Sequence, residues 1–280
     1  MQYERPGEIE QALALLAQGN WTVLAGGTDF FPTLKDRPPQ GKILDVSALS
    51  GLRSITQQDD CWRIGALATW SDLIAADLPP AFDGLKLAAR EIGSVQIQNR
   101  ATLAGNICNA SPAADGVPPL LTLDAEVEII SEQGTRKLPL SGFVQGNRQT
   151  DLKPEEMVSA IVIPATSAKG TSAFLKLGAR KYLVISIAMV AVRLATDNNK
   201  TITDAAISIG SCSAVASRLT GLEQQLSGRK ITDDLAGLVQ VSHLAGLTPL
   251  NDARATATYR LEAGRELVQR AITDAAGQTQ

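Results

Sequence analysis

The chain has 280 residues, 44% of them hydrophobic and 20% charged, with a formal net charge of −3. Those values describe an ordinary globular protein of about two domains. They exclude an electrostatic footprint for nucleic acid, because the balance is acidic, aromatics are 4% and no Lys/Arg run occurs.

Helix and strand signals alternate from the start. Residues 7–18 place Ile9, Leu13 and Leu16 on one helical face, and Gly19-Asn20 ends that helix. Trp21 to Ala25 reads as a short strand running into Gly26-Gly27-Thr28-Asp29. Lys42 to Val46 and Cys61 to Ala66 read as two more strands. Ser71 is a candidate cap for a helix through Ala76, and a longer helix fits Gly84 to Ile92. A second glycine-bearing loop follows, Ala101 to Asn106, and Pro118-Pro119 marks a helix start. Glu126 to Ser131 and Thr135 to Leu140 flank Glu132-Gln133-Gly134, the pattern of a hairpin.

Between Pro164 and Gly170 the composition turns small and polar, and a domain boundary is placed there. Beyond it, Ala173 to Leu177, Ile185 to Leu194 and Asp204 to Ile209 read as strands, with helices near 218–226, 232–240 and 251–274. The fold class expected is an α+β or α/β first region with a smaller α+β second domain. The start of the chain has no basic segment leading into an apolar run, so no signal peptide is expected. The longest apolar stretch, Leu183 to Leu194, contains Ser186 and Arg193 and is too short for a bilayer span. Cys61, Cys108 and Cys212 form no CxxC pair, which favours reduced thiols in the cytoplasm. The single His243 argues against a histidine metal site or a Ser-His-Asp triad.

The two glycine segments carry the chemistry. Glycine admits positive φ and close approach to the backbone, so successive N–H groups can converge on an anion. Neither segment is GxxxxGK[ST] or GxGxxG. A single Gly-Gly turn after a strand is most often only a turn. Two in one domain, each closing an apolar segment, point to a diphosphate held between them. Asp115 stands ahead of the Pro118-Pro119 helix, where it serves either as a helix cap or as an acceptor for ligand hydroxyls.

Leu24-Ala25-Gly26-Gly27-Thr28-Asp29 followed by Lys35, and the long run Ala101 to Asp115 (ATLAGNICNASPAAD), closely resemble the FAD-binding subunit of the xanthine dehydrogenase and carbon monoxide dehydrogenase family. Phe174 to Arg180 and Asp252 to Arg260 resemble that family's later motifs, so the likeness spans essentially the whole chain in order. It implies a two-part FAD-binding region of the vanillyl-alcohol oxidase type over residues 1–165, with subdomains of 1–55 and 56–165, and a small C-terminal domain over 166–280. It further implies that Leu24, Ala25, Gly26, Gly27, Thr28, Asp29, Phe30 and Phe31 wrap the FAD diphosphate, and that Thr102, Leu103, Ala104, Gly105 and Asn106 form a second cradle. By the same resemblance Ile92 would pack on the cofactor, Asp115 would contact its polar atoms, Val158 would offer backbone, Lys176 would approach the flavin and Ile185 would lie by its ring. An ammonium at Lys176 would stabilise the reduced flavin's negative charge. A lone lysine is otherwise read as a strand-edge residue in water.

One departure stands out: Ala104 occupies a position where the family often has glycine. His243 falls in the C-terminal helical region, away from both segments, and Cys108 reads as a small buried thiol rather than a flavin attachment point, so FAD is expected to be non-covalent. The resemblance implies partners: a large molybdopterin-binding subunit, a small subunit with [2Fe-2S] clusters, and a terminal electron acceptor. Alternatives are a self-sufficient FAD oxidoreductase on the same fold, disfavoured by the lack of histidine before 243, and a FAD-free docking scaffold, favoured only by Ala104.

Overall fold

The computed structural model describes residues 1–278. Among the described residues, three larger sheets succeed one another along the chain, together with a two-stranded one of Val144–Gly146 and Gln149–Thr150. The first is parallel, with Lys42–Asp45 between Gln2–Glu4 and Trp21–Leu24. Parallel strands of one sheet need a crossover, and Ile9–Ala17 supplies the one from Gln2–Glu4 to Trp21–Leu24, burying Ala12 and Leu16 against Trp21 and Leu44.

The second sheet is antiparallel, in the order Ile55–Gln57, Cys61–Gly65, Met157–Pro164, Glu126–Ser131, Gly134–Pro139. Its central strand, Met157–Pro164, was not among the strands expected from sequence. Seven of its eight residues are buried, as a continuous apolar run in a covered strand requires. Met157 also reaches the core beneath the first sheet and ties the two sheets together.

The third sheet is a meander of Thr171–Leu177, Ala188–Thr196, Ile202–Gly210 and Ser217–Arg218. Helix Ala257–Gly277 lies across it, burying Val268, Ala271, Ile272 and Ala275. Gly264 lets the helix approach, because a Cβ there would stand 2.7 Å from the Ile209 side chain. Helix Asp83–Glu91 joins the second and third sheets: the Gly84 N–H donates to Ser172 Oγ at 2.8 Å. Arg193, fully buried, donates to the Thr122 carbonyl and pairs with Asp204 at 2.6 Å.

Several expected boundaries move for local reasons. Thr69, not Ser71, caps helix Trp70–Ala75: its hydroxyl accepts from the Asp72 N–H while Asp72 accepts from the Thr69 N–H. The strand expected from Ile185 begins at Ala188, since Arg180 bonds the Leu183 carbonyl and Leu183 turns to φ 53°. Ser217–Arg218 pair as a sheet edge, so the following helix is Thr220–Leu226. Residues 232–240 form no α-helix; the Asp234 carboxylate takes the Gly237 N–H and leaves only short 3-10 turns, Ala236–Leu238 and Val241–Leu244. The last helix starts at Ala257 under a Thr256 cap, because Asp252 folds residues 252–255 on themselves by accepting from the N–H groups of Arg254 and Ala255.

Candidate cofactor site

A cavity of about 550 Å³ lies where the first two sheets meet. That is within the range of small-molecule sites. One wall is the turn after Trp21–Leu24. Gly26 there packs so tightly on the neighbouring segment that a Cβ would stand 1.9 Å from the Arg100 carbonyl oxygen. Gly27 has φ 75°, and its carbonyl accepts from the Phe31 N–H at 3.1 Å, starting the short helix Phe30–Leu34.

The opposite wall corrects the sequence reading. Ala101 to Asn106 is not a loop: helix Leu103–Asn109 begins inside it, with Thr102 as its cap accepting from the Gly105 N–H at 2.9 Å. Two backbone bonds hold this helix start to the neighbouring helix, Trp70 N–H to Ala101 and Leu103 N–H to Ala68, both 3.1 Å. Ala104 is 5% exposed, and its methyl belongs to the core as well as to the wall.

The cavity brings together Leu24, Ala25, Gly26, Gly27, Thr28, Asp29 and Phe30 from the first segment and Thr102, Ala104, Gly105 and Asn106 from the second, with Ile92 and Val158. Phe31 and Leu103 are not in its lining: Phe31 is exposed and Leu103 is core. Nor are Asp115, Lys176 and Ile185. Asp115 does not cap the following helix, Val117–Thr122, whose cap position is Gly116. It is buried and ion-paired to Lys176 Nζ at 2.6 Å, with Ser186 Oγ donating to its other oxygen at 2.5 Å. Burial pushes the Asp115 carboxyl above its usual range against the pull of Lys176. Lys176 is therefore not a strand-edge lysine in water; its side chain is 5% exposed. Ile185 is about half exposed, on the segment between two strands.

Sequence reasoning missed other lining residues. Trp70, Ile97, Leu152 and Met157 supply apolar surface, and the Trp70 indole N–H is buried without a protein acceptor. Cys108 lines the cavity with its thiol pushed up to about 12 by burial, so it is neutral and a poor nucleophile. Arg148 reaches the cavity from the turn between Val144–Gly146 and Gln149–Thr150; its one sequence signal is the turn-forming Gly146-Asn147 before it.

Residues 1–166 match the family model described as the FAD binding domain in molybdopterin dehydrogenase, and residues 173–275 match that of the CO dehydrogenase flavoprotein C-terminal domain. The chain belongs to the FAD-binding subunits of the molybdopterin dehydrogenases. This flavoprotein subunit is 30% identical over 278 residues to the xanthine dehydrogenase FAD-binding subunit of Escherichia coli O157:H7, covering 98% of this chain and 95% of that one. It is 34% identical over 190 residues to the nicotinate dehydrogenase FAD-subunit of Eubacterium barkeri, covering 65% of this chain and 64% of the other. Its fold matches carbon monoxide dehydrogenase from Hydrogenophaga pseudoflava with a TM-score of 0.88 at 27% identity, over 99% of this chain and 97% of that chain. The flavoprotein subunit is thus an oxidoreductase component with FAD as its cofactor and an α+β fold.

Proposed function

We propose that the chain holds FAD non-covalently in this cavity and relays electrons. They arrive from [2Fe-2S] clusters in a small partner subunit, after substrate oxidation at a molybdopterin centre in a large one, and leave to a terminal acceptor. The observation that carries the reading is the cavity itself. A glycine turn and a capped helix start face each other across about 550 Å³ of mostly apolar wall. That wall suits a flat, apolar ring system, and the two backbone-rich edges suit a diphosphate. When bound, FAD supplies single-electron acceptance and paired-electron delivery.

In this reading Leu24 through Phe30 and Thr102 through Asn106 embrace the diphosphate, with Phe31 and Leu103 bracing those segments from outside the cavity lining. Ile92 and Val158 contribute apolar contact. Asp115, Lys176 and Ile185 act from beyond the wall, the first two by fixing the segment that follows helix Leu103–Asn109. We divide the chain at 165/166, and within the first part near residue 55, where the parallel sheet gives way to the antiparallel one. Three free thiols support a reducing, cytoplasmic setting. Among the described residues no helix is long and apolar enough to cross a membrane.

The visible spectrum of the purified chain before and after acid precipitation tests the reading. A flavin spectrum released into the supernatant is expected. A colourless chain that takes up no added FAD refutes it, and colour retained in the pellet refutes the non-covalent part.

A further inference from the structure

We infer that Arg148 is the counter-cation for the ligand's diphosphate, and that Asp29 holds its guanidinium in place until the diphosphate displaces the carboxylate. The inference rests on the FAD reading above. Among the described residues lining the cavity, Arg148 is the one cation and Asp29 the one anion. The Arg148 Nη1 lies 2.7 Å from Asp29 Oδ2 and also donates to the side-chain oxygen of Asn109. These three residues come from three elements: the turn after Trp21–Leu24, the end of helix Leu103–Asn109, and the turn of the small hairpin.

The turn that presents Arg148 is itself unusual. Its backbone sits at φ 60°, and its N–H donates at 2.9 Å to the carbonyl of Ala110, which is also left-handed at φ 47°. Non-glycine residues in that region persist where surrounding structure imposes them, often at binding sites. The ion pair does not account for the arrangement through stability. Both side chains are about half exposed, 53% and 52%, and such pairs contribute little.

A diphosphate changes the balance. It is dianionic, and the remaining lining is uncharged. A guanidinium offers a planar fork of donors matched to phosphate oxygens. Exchanging the Asp29 carboxylate for a phosphate oxygen keeps the guanidinium bonded. It also returns an already half-exposed carboxylate to water at small cost.

The test is titration of flavin-depleted full-length chain with FAD and with riboflavin, which has no phosphate. Arg148→Asn removes the charge while suiting the left-handed backbone. FAD binding should weaken about tenfold at low salt, with riboflavin binding unchanged. The gap should narrow as salt rises, and Arg148→Lys should recover part of the loss. Asp29→Asn removes the carboxylate that competes for the guanidinium and should tighten FAD binding, most at low salt. Equal loss for both flavins in Arg148→Asn, or an Asp29→Asn loss matching it, overturns the inference in favour of a structural strap. Should riboflavin bind too weakly to titrate, the salt dependence decides: a slope unchanged in Arg148→Asn overturns it. Failure of the unaltered chain to bind FAD refutes the underlying reading instead.

Discussion

The ammonium of Lys176 and the carboxylate of Asp115 lie 2.6 Å apart with both side chains under a tenth exposed, joining the third sheet to the segment that leads into helix Val117–Thr122. Removing one partner of a buried pair strands the other charge, at a cost of about 3–5 kcal/mol. Lys176→Met and Asp115→Leu should each lower the unfolding midpoint strongly, and the double variant should recover much of the loss. Additive losses in that cycle, measured by denaturant unfolding, would show that the pair is not coupled. If Lys176 also acts on the flavin, the potential will drop in Lys176→Met; an unchanged potential assigns it to architecture alone.

Gly26 and Gly27 should not be equivalent. At Gly26 an added Cβ meets the Arg100 carbonyl at 1.9 Å, and backbone cannot yield cheaply. At Gly27 it meets the exposed Phe31 ring at 2.6 Å, which can swing aside, leaving only the strain of φ 75°. Gly26→Ala should therefore be the more damaging, by about 1–3 kcal/mol in stability and with greater loss of bound flavin. Flavin-to-protein absorbance ratios and thermal unfolding of the two variants decide the order.

The Thr102 hydroxyl caps the helix start that faces the cavity. Thr102→Ala should cost about 1 kcal/mol, and Thr102→Ser should retain most of the stability. Gly105→Ala should resemble Thr102→Ala, because its Cβ would press on that same hydroxyl at 2.8 Å. Chemical denaturation of the three variants checks this; a neutral Thr102→Ala means that the cap is replaced.

Asp252 accepts from the N–H groups of Arg254 and Ala255 and from the Arg260 guanidinium, which together hold its carboxyl down to about 2. A depressed carboxyl stabilises the fold fully above the usual range, near about pH 4, and that contribution is lost as pH falls through about 2. Following the Asp252 carboxyl by NMR should give a midpoint near 2. A midpoint in the usual range would mean that these bonds do not persist in solution.

Cys212 should be the slowest of the three thiols to react. It is fully buried, and burial pushes its thiol up to about 11. Labelling at about pH 8 should spare it in the folded chain and reach it after denaturation. Cys108 is held as neutral thiol but is only partly buried and lines the cavity, so it should label before Cys212; the reverse order would show the cavity wall to be closed.

Local pattern sufficed where one segment decides its own state. The face of Ile9, Leu13 and Leu16, the Gly19-Asn20 stop and the Glu126–Ser131 hairpin strand were legible because period and turn chemistry are short-range. The long motif from Ala101 to Asp115 identified the family, since few sequences place those residues in that order. Other features depended on distant residues. Glycine makes Ala101 to Asn106 look like a loop, yet Thr102 caps a helix held by Ala68. Asp115 and Lys176 are 61 residues apart, and only the packing of the third sheet against the second region puts them in contact. Arg148 reaches Asp29 across 119 residues, a meeting that no local window contains. Sequence alone thus determined the family, the fold class and the first glycine turn, because these reside in contiguous motifs. The tertiary structure decided which of those residues share a cavity, which charge stands at its edge and which instead hold the domains together, because contacts between distant segments are created only when the sheets pack.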